Sequence, residues 1–116
     1  MARLKSEIWI KAYIRSCHGR NLFAVVVRKG DADAGAIYIK IDLLNDLCLL
    51  FTPAPTGYDV DEVGRFWVPF SEGKQISHQE ADDYLARQIN FDSDIWVLEV
   101  ESPKGEHFLE EYLKKA

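Results

Sequence analysis

The sequence has few cysteines, no long hydrophobic run and no catalytic signature, and each of these absences argues against a class of protein. Cys17 and Cys48 each lie inside an apolar segment, which is typical of a reducing compartment rather than of a disulfide-stabilised secreted protein. No window approaches the roughly 18 uninterrupted apolar residues that a membrane span needs. Residues 1–16 also lack the apolar core of a signal peptide. We therefore expect a cytoplasmic protein without a membrane-spanning segment.

Motifs that assemble catalytic or metal sites are also missing from the sequence. There is no phosphate-binding glycine loop, no dinucleotide fingerprint and no nucleophile elbow. The three histidines, His18, His78 and His107, do not have the spacing of zinc ligands. The sequence therefore predicts no catalytic residue, no cofactor and no metal ligand, and it argues against an enzyme.

The amounts of apolar and charged residue place the chain among globular proteins. Its 116 residues are enough for one core, so we expect one globular domain over residues 1–116. Hydrophobic residues make up 47% of the chain, which excludes intrinsic disorder. The net charge is −5, yet residues 1–40 carry eight cations against three anions. This asymmetry predicts either a basic binding face or, as we favour, pairing between the two halves of the chain.

The first element carries signals for both helix and strand. Alternation of Ile8, Ile10 and Ile14 fits a strand, but Ser6 is a suitable N-cap and Gly19 a suitable stop. Because two terminal signals agree on a helix, we predict a helix over residues 7–18, with Ser6 as its N-cap and Gly19 just after its end.

Four strands are predicted next. Residues 22–29 are apolar on both faces, which favours a central strand covered on two sides. Residues 36–43 alternate cleanly, and a turn then leads to a third strand at 47–52. A polar loop at 56–64 precedes a fourth strand at 65–70, which Pro69 places at a sheet edge. In the second strand we expect Ile37, Ile39, Ile41 and Leu43 to point inward and Tyr38, Lys40 and Asp42 outward.

The rest of the chain contains a helix, a strand and a second helical pattern. Ser77 and Glu80 form a capping box at the start of a helix. The hydrophobic pattern predicts a strand at residues 94–101 and a short amphipathic helix at residues 106–115. The order αββββαβα predicts an α+β fold with a mainly antiparallel sheet of about five strands and two or three helices.

The acidic stretch "RKGDADAG" is the first candidate site. Asp31, Asp33 and Asp42 resemble positions of a calcium loop, but Gly35 and Ala36 stand where the loop needs an oxygen ligand and a sharp glycine turn. We therefore favour a structural turn between strands. Anion binding at this turn, through its cations and its backbone amides, stays open.

A second acidic turn, "FDSDIW", lies between the second helix and the last strand. If the protein has a binding site, we predict that this turn joins the first one at a common edge of the sheet. Arg87, one helical turn earlier, is close enough to neutralise an aspartate. The predicted binding residues are Arg28, Lys29, Gly30, Asp31, Asp33, Arg87, Asp92, Asp94 and Trp96.

Two alternatives compete with a simple binding module. One is nucleic-acid binding by the basic first third, with tryptophans stacking on bases, although the acidity of the whole chain counts against it. Its residues would be Lys5, Lys11, Arg15, Arg20, Arg28 and Lys29, with Trp9, Trp67 and Trp96. The other is a metal-assisted hydrolase that uses Asp31, Asp33, Asp92 and Asp94.

Several stretches resemble a known family. They are "RLKSEIWIKAYIR", "AVVVRKGDADAGAIYIKI", "LFTPAP" and "ARQINFDSDIWVLEVE", and together they cover most of the chain. In these stretches the chain resembles the domain-of-unknown-function family 1491 of short alphaproteobacterial proteins. The resemblance implies a bacterial cytoplasmic protein, and it implies no activity, cofactor or partner. From the absence of an assembled catalytic set we expect a small non-enzymatic binding or regulatory module. Its partner stays open, with a protein partner and a homodimer as the alternatives.

Overall fold

The computed structural model of the protein describes residues 4–55 and 64–114. Most of the predicted loop at 56–64 therefore lies outside the described residues, as does Lys115 of the predicted tail helix. None of the helices in the described ranges is long and apolar enough to cross a membrane. The helices and strands, in chain order, are α1 (Ser6–Gly19), β1 (Phe23–Arg28), β2 (Ile37–Asp42), β3 (Leu47–Pro53), β4 (Trp67–Pro69), β5 (Ile76–Ser77), α2 (His78–Phe91) and β6 (Trp96–Glu101).

The strands form one mixed sheet in the order β1-β6-β2-β3-β4, with β5 paired to β3. The predicted α+β fold with a mainly antiparallel sheet is thus confirmed, and the described part of the chain contains six strands. All pairs are antiparallel except β2 with β6, which run in the same direction. This parallel pair arises because the chain crosses over through α2 before β6 enters the sheet between β1 and β2.

Strand β1 lies at the edge of the sheet, so its prediction as a central strand is wrong. Phe23 is 57% exposed, Val26 40% and Val27 60%. Because β6 occupies the place beside β2, β1 has only one strand neighbour. An apolar run on both faces does not reveal this position, since it depends on a strand that lies far along the chain.

The exposed edge of β1 carries features that limit further strand pairing. The register with β6 shifts between Val26 and Arg28, which is a β-bulge. In addition, the His18 ring nitrogen Nε2 lies 3.0 Å from the carbonyl oxygen of Ala24 and forms a hydrogen bond with it. Bulges and blocked carbonyls are common protections of edge strands.

Helix α1 forms where it was predicted, but its ends differ from the prediction. Ser6 is the first helical residue rather than the N-cap, and its hydroxyl donates to the carbonyl oxygen of Gly35 at 2.7 Å. The backbone of the 28–35 turn caps the helix instead, because the amides of Ser6 and Glu7 donate to carbonyl oxygens of that turn at 3.1 and 3.0 Å. At the other end the left-handed residue is Asn21, with φ of 64°, and not Gly19.

The two helices cover opposite faces of the sheet. The predicted N-cap of α2 is confirmed, since the Ser77 side chain accepts a hydrogen bond from the Glu80 amide at 3.1 Å. The face under α1 includes Ile10, Tyr13, Cys17, Ile37, Ile39, Ile41, Trp96, Leu98 and Val100. The face under α2 includes Cys48, Leu50, Ile76, Ala81, Leu85 and Val97.

The predicted tail helix at 106–115 is wrong. Only Glu110–Tyr112 form a short 3-10 turn, and Leu113 makes a parallel bridge to Trp67 of β4. Phe108 has a φ of 59°, which interrupts any regular helix at this point. A short amphipathic pattern is a weak helix signal because helix nucleation is costly. Here the chain instead buries Leu109 completely and follows the sheet.

His107 makes the stability of this tail sensitive to pH. Burial lowers the pKa of His107 below its ordinary value of 6.5, while Glu110 has a weaker opposite effect. Its ring nitrogen Nδ1 accepts from the Leu109 amide at 3.0 Å, and its ring centroid lies 4.6 Å from that of Phe51. A proton on Nδ1 would remove this acceptor.

We predict that the free energy of unfolding falls as the pH drops through 6.5 toward the lowered native pKa of His107. In this window His107 binds more protons in the unfolded chain than in the native one, because folding lowers its pKa. Urea unfolding of the parent and of His107→Gln across this range measures the effect. The difference between the two slopes isolates His107 from the other histidines, and equal slopes would contradict the prediction.

Candidate functional site

The two acidic turns singled out in the sequence are in contact. The amide of Asp31 donates to the carbonyl oxygen of Asp94 at 2.9 Å. The indole nitrogen of Trp96 donates to the carbonyl oxygen of Asp31 at 2.7 Å. The guanidinium Nη2 of Arg28 donates to the carbonyl oxygen of Ser93 at 2.9 Å. We call this contact between residues 28–35 and 92–96 the turn junction.

The backbones at the turn junction approach so closely that only glycine fits. A Cβ atom on Gly30 would lie 2.2 Å from the carbonyl oxygen of Asp94. A Cβ atom on Gly35 would lie 2.4 Å from the same oxygen. Real Cβ contacts are essentially never shorter than 3.0 Å. These two glycines therefore serve packing between the turns.

Three aspartates of the turn junction, Asp31, Asp33 and Asp92, bind their own backbone or lie near a cation. The carboxylate of Asp31 accepts from the amides of Asp33 and Ala34 at 3.2 and 2.8 Å. That of Asp92 accepts from the Asp94 amide at 2.9 Å. Asp33 lies 3.6 Å from the Lys5 ammonium. Across residues 4–55 and 64–114, no three His, Cys, Asp or Glu side chains are grouped to hold a metal ion. The carboxylates thus act as turn residues.

The remaining predicted binding residues lie in different surroundings. Trp96 is buried in the core, and Lys29 is exposed. Arg87 lies on α2 with its guanidinium carbon 6.0 Å from the Tyr84 ring. Arg28 is half-buried and takes part in a second feature, a cavity beside the turn junction.

This cavity, of about 210 Å³, lies between α2 and β1 above the middle of the sheet. We call it the α2 cavity. Strands β2 and β6 form its floor, α2 forms one wall and β1 the other. Its lining residues are Val27, Arg28, Lys40, Asp82, Leu85, Ala86, Ile89, Val97 and Glu99.

Lys40 is the most unusual residue of the α2 cavity. It is only 6% exposed, although the alternation of β2 predicts that it points outward. Its Nζ lies 3.1 Å from Oδ1 of Asp82 and 3.6 Å from Oε1 of Glu99. The prediction is wrong because α2 packs on this face of β2. The missing signal is the parallel pairing of β2 and β6, since the helix of such a crossover covers a face of the sheet.

The charges around Lys40 are unequally exposed. The side chain of Asp82 is 62% exposed and that of Glu99 is 30% exposed, so the cation is the buried member of the group. The Nε atom of Arg28 is buried and has no hydrogen-bond partner among the described residues. The α2 cavity is therefore lined by two cations, Lys40 and Arg28, and two anions, Asp82 and Glu99.

Some of the cations in the basic first third are paired or buried. Lys11 pairs with Glu7 at 2.9 Å, and Lys40 is buried. Of the three tryptophans proposed to stack on bases, Trp67 and Trp96 are buried and therefore not available for stacking. Pairing of Lys40 with Asp82 and Glu99 joins the basic and acidic parts of the chain instead.

Comparison with known proteins shows which sequences and structures the chain is similar to. The family model DUF1491, described as a protein of unknown function, matches residues 4–110. A crystal structure of a DUF1491 family protein from Caulobacter crescentus is 36% identical, with a TM-score of 0.77, and the match covers 96% of this chain and 97% of that one. The solution structure of protein Atu0922 from A. tumefaciens is 33% identical, with a TM-score of 0.80, and the match covers 98% and 97%. No curated protein matches the chain significantly.

Proposed function

Because the chain belongs to the DUF1491 family, whose description assigns no function, we propose its role from the site: a small cytoplasmic, non-enzymatic binding module whose ligand enters the α2 cavity. Concave sites with apolar walls and a few convergent polar groups are the usual places for ligands. The α2 cavity has this composition, with Leu85, Ile89 and Val97 beside Lys40 and Arg28. Cys17 and Cys48 are both buried and free, in keeping with a reducing compartment.

The observation that carries this proposal is the burial of Lys40 beside a cavity. Removing an ammonium ion from water costs several kcal/mol, and ion pairs with partly exposed carboxylates recover only part of that cost. A methionine of similar shape would avoid the cost, so the fold does not require the charge at this position. We therefore attribute the buried charge of Lys40 to contact with a ligand, which would lie in the cavity.

Lys40→Met tests the proposal because it separates binding from folding. We expect the free energy of unfolding to change by less than about 1 kcal/mol or to rise, since an apolar side chain replaces a buried ion. We also expect any ligand of the α2 cavity to bind at least about tenfold more weakly. A fragment library screened by heteronuclear NMR against the full chain measures this, with shifts expected at the amides of Lys40, Leu85 and Glu99.

Lys29→Met is the matched control, because Lys29 is exposed and does not line the cavity. It removes the same charge and should leave fragment binding unchanged. Fragments that bind only at other surfaces, or that bind Lys40→Met as well as the parent, would refute the proposed site.

A further inference from the structure

We infer that the ligand of the α2 cavity is a small carboxylate on a short aliphatic chain, which replaces Asp82 as the partner of Lys40. This inference rests on the proposed binding function of the cavity. It adds the chemical class of the ligand and the way in which the site opens.

The sign of the ligand's charge follows from the unused donors. An ammonium group has three N–H donors, yet among residues 4–55 and 64–114 only Asp82, at 3.1 Å, lies within ordinary hydrogen-bond distance of Lys40. Glu99, at 3.6 Å, is too far for a good hydrogen bond. Arg28, a second cation, also lines the cavity. A carboxylate accepts from the ammonium of Lys40, whereas a protonated amine would meet a donor that it cannot use.

The exposure of Asp82 explains how the site can exchange partners. Its side chain is 62% exposed, so it can turn into water with little loss of interaction energy. An entering carboxylate then takes its place at Lys40. The buried cation stays paired throughout, which avoids the large cost of an unpaired buried charge. Glu99, less exposed, remains beside Lys40 and holds it in position.

The size and walls of the cavity define the rest of the ligand. A volume of 210 Å³ equals that of about seven water molecules, which suits a short chain and is too small for a nucleotide. The side chains of Val27, Leu85, Ile89 and Val97 are aliphatic and offer no hydrogen bonds. Isocaproate, a branched aliphatic acid of this size, is therefore a suitable probe.

The experiment titrates the full chain with isocaproate, isocaproamide and isoamylamine, followed by heteronuclear NMR. We expect isocaproate to bind at the α2 cavity and the neutral and cationic analogues to bind at least about tenfold more weakly. An acetylated peptide that ends in leucine, with a free or amidated C-terminus, tests the other source of such a carboxylate. Weaker binding of both peptides than of isocaproate supports a free acid, and tighter binding of the free-ended peptide overturns it.

Asp82→Asn tests the exchange directly. Because it removes the competing carboxylate, it should raise the affinity for isocaproate by about fivefold, whereas a purely structural ion pair predicts no gain. Asp83→Asn is the matched control, since Asp83 neighbours Asp82 on α2, accepts from Gln79 and does not line the cavity. It should leave the affinity unchanged.

The outcomes separate this inference from the proposed function. Tighter binding of isoamylamine at the cavity would overturn the carboxylate inference and leave the binding site intact. If fragments bind the cavity and Asp82→Asn weakens isocaproate, the exchange is wrong. If no fragment or probe shifts the cavity amides, both proposals fail. The three probes on the parent protein keep the test valid even if Asp82→Asn does not fold.

Discussion

Replacing Gly30 with alanine is expected to lower the free energy of unfolding by about 3 kcal/mol and the melting temperature by about 10 °C. The new Cβ atom would lie 2.2 Å from the carbonyl oxygen of Asp94 and 2.6 Å from the carbonyl carbon of Ile95. These are backbone atoms, so no side-chain rotation relieves the overlap. The two turns must separate, which breaks the hydrogen bond from Asp31 to Asp94. Urea and thermal unfolding followed by circular dichroism measure both quantities.

Gly19→Ala is the matched control for this substitution. Gly19 ends α1, and a Cβ atom placed there has no neighbour within 4 Å. The alanine should be neutral or stabilising by up to about 1 kcal/mol, because it favours the helix. If Gly30→Ala were as stable as Gly19→Ala, the close approach of the two turns would be incorrect.

Features that depend on neighbouring residues could be predicted from the sequence. The N-cap at Ser77 involves residues three positions apart, and the inward face of β2 needs only an alternation of two. Helix α1 was also predictable, although its cap was not. Its first amides bind the 28–35 turn, which lies more than twenty residues later in the chain. A local sequence pattern contains no information about that contact.

Features that depend on distant strands could not be predicted. The place of β6 between β1 and β2 moves β1 to the edge, and the crossover helix α2 covers Lys40 on the face of β2. Both errors arise from the crossover that leads from β3 through α2 to β6. A strand that follows a helix can enter a sheet at several places. The sequence patterns of β1 and β2 do not distinguish between these places.

Only part of the candidate site could therefore be predicted from the sequence. Charge and glycine content indicated the two turns, and these turns do meet in the structure. Their contact, however, is made mainly by backbone atoms, which pack closely against each other. The α2 cavity is lined by four separate elements, and Arg28 alone links it to the residues singled out beforehand. Such a site becomes visible only when the strand order is known.

Replacing Trp67 with alanine is expected to lower the free energy of unfolding by about 4 kcal/mol. Trp67 is 1% exposed, and its ring centroid lies 4.7 Å from that of Trp9. Its indole nitrogen donates to the carbonyl oxygen of Ile37 at 2.8 Å, and its own carbonyl accepts from the amide of Lys114 at 2.8 Å. The side chain thus joins α1 and β2 to the short strand β4, while the backbone of Trp67 holds the tail. Urea unfolding followed by circular dichroism measures the loss.

Trp67→Phe divides this effect into packing and hydrogen bonding. Phenylalanine keeps most of the aromatic volume against Trp9 but leaves the carbonyl oxygen of Ile37 without its indole donor. We expect a loss of about 1 to 2 kcal/mol, smaller than that for alanine. A loss for Trp67→Ala no larger than that for Trp67→Phe would mean that packing contributes little. The anchoring role of Trp67 would then reduce to its hydrogen bond, because the cavity left by alanine would cost nothing further.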